Sequence, residues 1–279
     1  MLRPYRPEYW VDVTRFARRL PNFHYLETIT RLHLEEKRPG GCYVWEEGGQ
    51  IAAFCAVNYL NPDDAWLYGM RVDPQFHNSG IATRLTRALI RIAGRDGRTW
   101  AGLNTSDTPS HRPVFRVAEK LGMKLEGIFC NDVFWALRCR FEPSRLRRHP
   151  GILGEFRKRG RTVIFHETPG WFWSRTLPAR RRWVNEGGYS IRGVPVHIAW
   201  RSHPKGERSA TVSLLELPTD PRPLLANLLA FARGRNWMVL NYPAAWKRTV
   251  RGAWRELAPS LHRGYHCYPA TERVYGKYL

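Results

Sequence analysis

The chain has 279 residues, long for one hydrophobic core and comfortable for two, since domains usually run about 100–150 residues. An apolar fraction of 43% with 12 Trp, 12 Tyr and 12 Phe excludes a disordered composition and fits a folded globular protein. The formal net charge is +21 and unevenly placed, with 23 Lys/Arg against 16 Asp/Glu in residues 1–149 and 22 against 8 in residues 150–279.

Such a field attracts polyanions, so nucleic acid or an acidic protein is an expected class of partner for the basic second half. No run approaches the roughly 18 apolar residues of a membrane span, and Met1-Leu2-Arg3-Pro4-Tyr5 lacks the apolar core of a signal peptide. A cytoplasmic location with no membrane partner is expected. The 5 cysteines form no C-x-x-C pair, so buried reduced thiols are expected and no metal site.

From the N-terminus, Tyr9–Leu20 carries Trp10, Val13, Phe16, Ala17 and Leu20 at helical spacing, and a second helical stretch covers about Phe23 to Glu36. Pro39-Gly40-Gly41 breaks the pattern, and Cys42–Trp45 and Ile51–Tyr59 around Gly48-Gly49 predict a hairpin. Asn61–Asp64 is a turn and Ala65–Val72 a strand. A helix from Gly80 to Ala93 stops at Asp96-Gly97, Trp100–Asn104 is a strand, Val114–Leu121 a helix ended by Gly122, and Phe129–Leu137 a strand.

Arg-, Pro- and Gly-rich residues 143–161 are expected to be a basic linker between a domain at 1–142 and another at 162–279. Beyond it, Val163–Phe165, Tyr189–Trp200 and Ala210–Leu217 are predicted strands. Leu224–Arg233 then predicts a helix, Met238–Tyr242 a strand, Arg248–Leu257 a helix and His266–Lys277 strand material. This order repeats that of the first half, and Ala230–Arg235 echoes Arg91–Asp96, which suggests a tandem duplication. The fold class expected is α/β with a mixed sheet.

Val72 to Leu85 is a strand end, a polar turn and a helix start. Free backbone amides, small residues and the positive end of a helix dipole together suit a pyrophosphate. Val72-x-Pro74, the Gly80-x-Ala82 step, Leu85 and Leu89, and Ala118-Glu119-Lys120-Leu121-Gly122-Met123 resemble the GNAT superfamily of N-acetyltransferases in order and spacing, over about Leu2 to Leu137.

The resemblance implies a mixed-sheet GNAT fold, with a second half resembling a degenerate GNAT-like domain, and acetyl-CoA as co-substrate. Its pyrophosphate pattern falls on His77 to Ala82, with His77 where the family usually has Gln or Arg. Carried over by position, Met70 and Val72 hold the pantetheine arm, His77, Asn78, Ser79, Gly80, Ile81, Ala82 and Thr83 surround the phosphates, and Arg84 adds a charge.

The family's usual catalytic Glu and Tyr are missing: their positions fall near Trp66 and on Ala118. Tyr68, Asn104, Asp107 and His111 are the candidates for base and acid functions, partly through water. Phe23, His24, Tyr25 and Trp66 are candidates to line the acceptor cleft. The activity implied is transfer of acetyl to the amine of a small molecule in a ternary complex. An acyltransferase acting on a protein or RNA-bound amine and a non-catalytic acyl-CoA-binding regulator are the alternatives. Leu217–Pro223 has no Gly step and has prolines that remove amide donors, so the second half is expected to bind no CoA.

Overall fold

The structure is a computed structural model that describes residues 1–20, 23–35, 37, 39–59, 61–135, 145–159, 163–166, 172–175, 187–202, 208–232, 237–257 and 267–279. The expected strand ends at Leu137 and His266 and the echo at Arg233–Arg235 lie outside them. The chain forms two compact units. The first is Met1–Leu125 with Thr168–Trp173 and Val274–Leu279; the second is Glu126–Glu167 with Ser174–Arg273.

The first unit runs β1 (Leu2–Pro4), α1 (Trp10–Ala17), α2 (Phe23–Leu34), β2 (Gly40–Glu47), β3 (Gln50–Tyr59), β4 (Asp64–Val72), α3 (Ile81–Arg95), β5 (Trp100–Ser106) and α4 (Arg112–Lys120). Strands β1 to β4 pair antiparallel in chain order, and β5 lies parallel to β4 through the α3 crossover. Gly48 and Gly49 close the β2–β3 hairpin with φ of +56° and +76°, left-handed values that a two-residue hairpin turn demands at both positions. Gly40 and Gly41, expected to break the chain, are the first residues of β2.

Strand alternation sorts the side chains to two faces. Ala53, Cys55, Val57, Ala65 and Leu67 pack with Ile81, Leu85, Leu89 and Ala93, the four-residue stripe of α3. On the other face α1 buries Val13, Phe16 and Ala17 and α2 buries Leu26 and Ile29, while Tyr5 stands edge-on to Phe54 at 5.8 Å. Each fully buried side chain of this kind contributes about 1.5–3 kcal/mol.

The end of the chain completes this unit. The amide of Leu279 donates to the Thr99 carbonyl at 3.0 Å, Tyr275 lies 6.3 Å from Phe115, and Gly276 lies so close to the Trp100 indole that a Cβ there would stand 2.4 Å from the ring.

The second unit contains β6 (Lys124–Trp135, from Glu126 onward), β7 (Arg147–Arg148), α5 (Ile152–Lys158), β8 (Val163–His166) and the end of β9 (Phe172–Arg175, from Ser174 onward). It continues with β10 (Gly188–Ile191), β11 (Val194–Ser202), β12 (Arg208–Leu214), α6 (Arg222–Ala232), β13 (Trp237–Pro243), α7 (Lys247–Leu257) and the first part of β14 (Cys267–Tyr278). The pairs β7–β10, β10–β11 and β11–β12 are antiparallel, β12–β13 is parallel through the α6 crossover, and β13–β6 is antiparallel. The first four of these, three antiparallel and then one parallel, repeat the order of pairings found from β1 to β5.

Residues 143–161 are more than a linker, because they hold β7 and α5. Ile152, Leu153 and Phe156 form an apolar face, fully or nearly fully buried, concealed in an Arg-rich composition. The two units divide at Leu125/Glu126, where the sequence suggested 142, and the last six residues lie with the first unit.

Candidate functional site

The site begins with an irregularity in β4. Gly69 has φ +67°, the β3–β4 register shifts between Phe54 and Ala56, and the strand bulges at that point. A Cβ on Gly69 would stand 2.4 Å from Ile29 Cδ1, so both the dihedral and the packing of α2 require glycine. The Tyr68 carbonyl beside the bulge accepts from the Cys55 thiol at 3.4 Å, and burial raises the pKa of that thiol to about 12, keeping it a donor.

Just before the bulge, β4 and β5 part. Their parallel ladder has only the pairs Asp64–Trp100, Ala65–Ala101 and Trp66–Gly102, yet β4 continues to Val72 and β5 to Ser106. The hinge of this splay is a stack of Trp66 on Trp100, 6.0 Å between ring centroids, both fully buried. Gly102 fits against it only because it has no side chain, since a Cβ would lie 2.2 Å from Trp100 and 2.4 Å from Trp66. Trp66, a candidate for the acceptor wall, is therefore core.

Beyond β4 the chain turns into α3 through a tight loop. Asp73 caps the 3-10 turn Pro74–Phe76 by accepting from the Gln75 amide at 3.1 Å. Asn78 (φ +62°) and Gly80 (φ +79°) are left-handed, and residues 77–80 are exposed. The first amide with a helical acceptor is that of Arg84, which donates to Gly80 at 3.0 Å. The amides of Gly80, Ile81, Ala82 and Thr83 are thus the orphan donors of the helix start, and no side chain caps them.

His77 Nε2 donates to the Val72 carbonyl at 3.1 Å, and the Ser79 hydroxyl donates to Phe76 at 2.6 Å, so both side chains close the loop. Arg84 reaches back to the Ser79 carbonyl at 3.1 Å, lies over Trp45, and meets Glu47 at 3.3 Å. Its charge is shared with a carboxylate. The Met70 carbonyl already accepts from Arg71 at 2.9 Å.

Polar groups gather along the α2 side of β4. Tyr25, Ile29 and His33 share one face of α2 at a spacing of four residues. Tyr25 is near enough to Arg71 to interact electrostatically, Ile29 covers Gly69, and His33 Nε2 is hydrogen-bonded to the Tyr68 hydroxyl at 2.7 Å. Burial holds Arg71 below the usual guanidinium range. His111, between β5 and α4, has Nδ1 2.7 Å from the Thr108 hydroxyl, and burial, then the Arg71 charge, hold its imidazole below the usual range.

Asn104 is half-buried on the splayed part of β5, with no hydrogen-bond partner among the described residues. Asp107 is half-buried in the loop that follows. Tyr68 thus finds its partner on α2, while His111 lies by Arg71. Ala118 is fully buried in the α3 core and has no ionisable group to offer. The side chains of Phe23 and His24 lie outside the described residues.

The acetyltransferase (GNAT) family model matches residues 6–123. This segment is a GNAT acetyltransferase domain. Many solved structures match the chain, and two of them share its fold over nearly its whole length. A candidate acetyltransferase from Thermoplasma acidophilum is 12% identical with a TM-score of 0.52, covering 99% of this chain and 92% of its own. One from Pyrococcus horikoshii is 14% identical with a TM-score of 0.51, covering 100% and 89%. No curated protein matches the chain.

Within the GNAT domain, sequence reasoning missed Gly69 and His33. A glycine inside an apolar strand is a readable sign of a bulge. The His33–Tyr68 pairing spans 35 residues and no local pattern announces it.

The corresponding turn of the second unit differs. Asp220 Oδ1 accepts from the Arg222 amide at 3.0 Å, at the start of α6, and its carboxyl is held below the usual range first by the Arg222 side chain. Arg222 also meets Glu256 at 3.0 Å. An internal carboxylate stands there at a helix start that α3 leaves uncapped.

Proposed function

We propose that the GNAT domain transfers acetyl from acetyl-CoA to the amine of a small molecule, by direct attack within one ternary complex. The observation that carries this reading is the uncapped start of α3 behind the exposed loop 77–80. Four orphan amides, two left-handed residues and the helix dipole suit a pyrophosphate. Asn78, Ser79, Gly80, Ile81, Ala82 and Thr83 hold it in this reading, with His77 shaping the loop and Arg84 contributing what Glu47 leaves of its charge. The pantetheine arm follows the free edge of β4 at Met70 and Val72, in the gap where β5 departs. Asn104, Asp107 and His111 border that gap as candidates to hold the acceptor or a water.

We infer further that the second half is a degenerate copy of the first. Support comes from the shared order of strand pairings and from a recurring W-x-x-L-N in the parallel strands, Trp100–Asn104 and Trp237–Asn241. The Asp220 carboxylate at α6 argues against a second nucleotide there.

A thiol-release assay with acetyl-CoA and a panel of glycine, spermidine and kanamycin tests the function. Release of CoA dependent on one amine supports it. Binding of acetyl-CoA with no release on any amine, nor on a protein or RNA-bound amine, refutes the catalytic reading.

A further inference from the structure

We propose that His33 and Tyr68 form the proton relay that frees the acceptor amine for attack, an inference that rests on the acetyl-transfer reading above. Both positions where the family usually holds ionisable groups are unavailable: Trp66 is locked in an indole stack and Ala118 is core. On the face of β4 that Trp66 occupies, the ionisable group on the side of the Gly69 bulge is Tyr68, two residues on, while Asp64 lies two residues back, bonded to Asn61 at the start of the strand. Tyr68 is 6% exposed, and its oxygen lies 2.7 Å from His33 Nε2.

A phenol is a poor proton acceptor near neutrality because its ordinary pKa is about 10. An imidazole is a good one, with an ordinary pKa of about 6.5. Joined by one hydrogen bond, the phenol relays and the imidazole stores. The Tyr25–Ile29–His33 face of α2 fixes this geometry, because Ile29 seats on the bulge and His33 follows one turn later. Next to this site the sheet also turns toward α1 and α2 the Arg71 guanidinium, which interacts with Tyr25, and the Cys42 thiol. Burial pushes the thiol far above its usual range and it stays protonated.

The step balances as follows. Tyr68 Oη takes one proton from the acceptor ammonium while its own proton passes to His33 Nε2, so one N–H bond breaks and one forms. The neutral amine attacks the thioester carbon, the C–N bond forms, and the C–S bond breaks with its electron pair leaving on sulfur. Sulfur takes a second proton from the former ammonium, and His33 returns the first to solvent. The products are the amide, CoA thiol and one proton.

The test compares wild type with H33Q, H33A, Y68F and the H33Q/Y68F double variant on the best acceptor of the amine panel, with acetyl-CoA affinity measured by calorimetry. Glutamine can hydrogen-bond to Tyr68 but cannot store a proton. Expected are a fall in kcat of about 100-fold in H33Q and in Y68F, no larger fall in the double variant, and an unchanged Kd for acetyl-CoA. Added imidazole is expected to restore kcat at least fivefold in H33A but not in Y68F, which a merely structural role of His33 would not produce. Wild-type activity with H33Q above half of it overturns the relay alone, as does a double variant whose losses multiply. A wild type that transfers to no amine overturns the acetyl-transfer reading and the relay with it. If H33Q does not fold, imidazole rescue of H33A decides.

Discussion

Gly69→Ala is the substitution whose cost the structure specifies most closely. The left-handed backbone at φ +67° costs an L residue about 1–2 kcal/mol. The new Cβ, 2.4 Å from Ile29 Cδ1, must displace a fully buried side chain, and forced repacking of this kind costs about 1–3 kcal/mol. The two terms together predict a loss of about 2–5 kcal/mol. Gly48→Ala is the internal control, since φ is +56° and nothing lies within 4 Å of its Cβ. It carries the dihedral cost without the clash, and the gain from a stiffer unfolded chain cancels between the two variants. Urea unfolding of both should therefore differ by the clash alone, about 1–3 kcal/mol. Ile29→Ala removes the atom that is struck, so in the Gly69→Ala background it should cost less than in wild type by about the same amount. Equal stabilities of the two glycine variants, or additive effects of Gly69→Ala and Ile29→Ala, would refute the packing of α2 on the bulge.

Gly102→Ala places a Cβ 2.2 Å from one buried indole and 2.4 Å from the other, so thermal unfolding should show a loss of at least about 2 kcal/mol together with a changed near-UV dichroism of the Trp66–Trp100 stack; an unchanged transition contradicts the hinge. Asp132, fully buried in the second unit, accepts from Tyr242 at 2.5 Å and lies 3.7 Å from Arg251, and burial raises its carboxyl above the usual range. A raised folded pKa means that stability is full below the unfolded value and falls as pH rises through the folded one. Asp132→Asn keeps an acceptor for Tyr242 without the charge, so its stability relative to wild type should increase from acid to neutral pH. A difference in urea unfolding that is flat or falling with pH contradicts the sign.

Much of the first domain is legible in the sequence because its signals are local. Gly48-Gly49 announces its hairpin, the four-residue apolar stripe of Ile81, Leu85, Leu89 and Ala93 announces α3, and the loop at 77–80 follows from a strand end meeting a helix start. What the sequence concealed depends on distant partners. From the sequence Trp66 is a candidate for the cleft wall, and only Trp100 and Gly102 decide for the core. His33 is an ordinary polar helix residue until β4 passes beneath it. The placement of Val274–Leu279 with residues from the opposite end of the chain, where Gly276 admits Trp100, has no local sign at all. The α5 helix escaped because Ile152, Leu153 and Phe156 make too short a stripe to stand out among arginines.

Calorimetric titration of the full chain with acetyl-CoA tests the central claim most directly. The account predicts one molecule bound per chain, with affinity weakened at least about tenfold by Gly80→Asp, which sets a carboxylate at the uncapped start of α3. No binding, two molecules per chain, or an undiminished affinity in Gly80→Asp would contradict it.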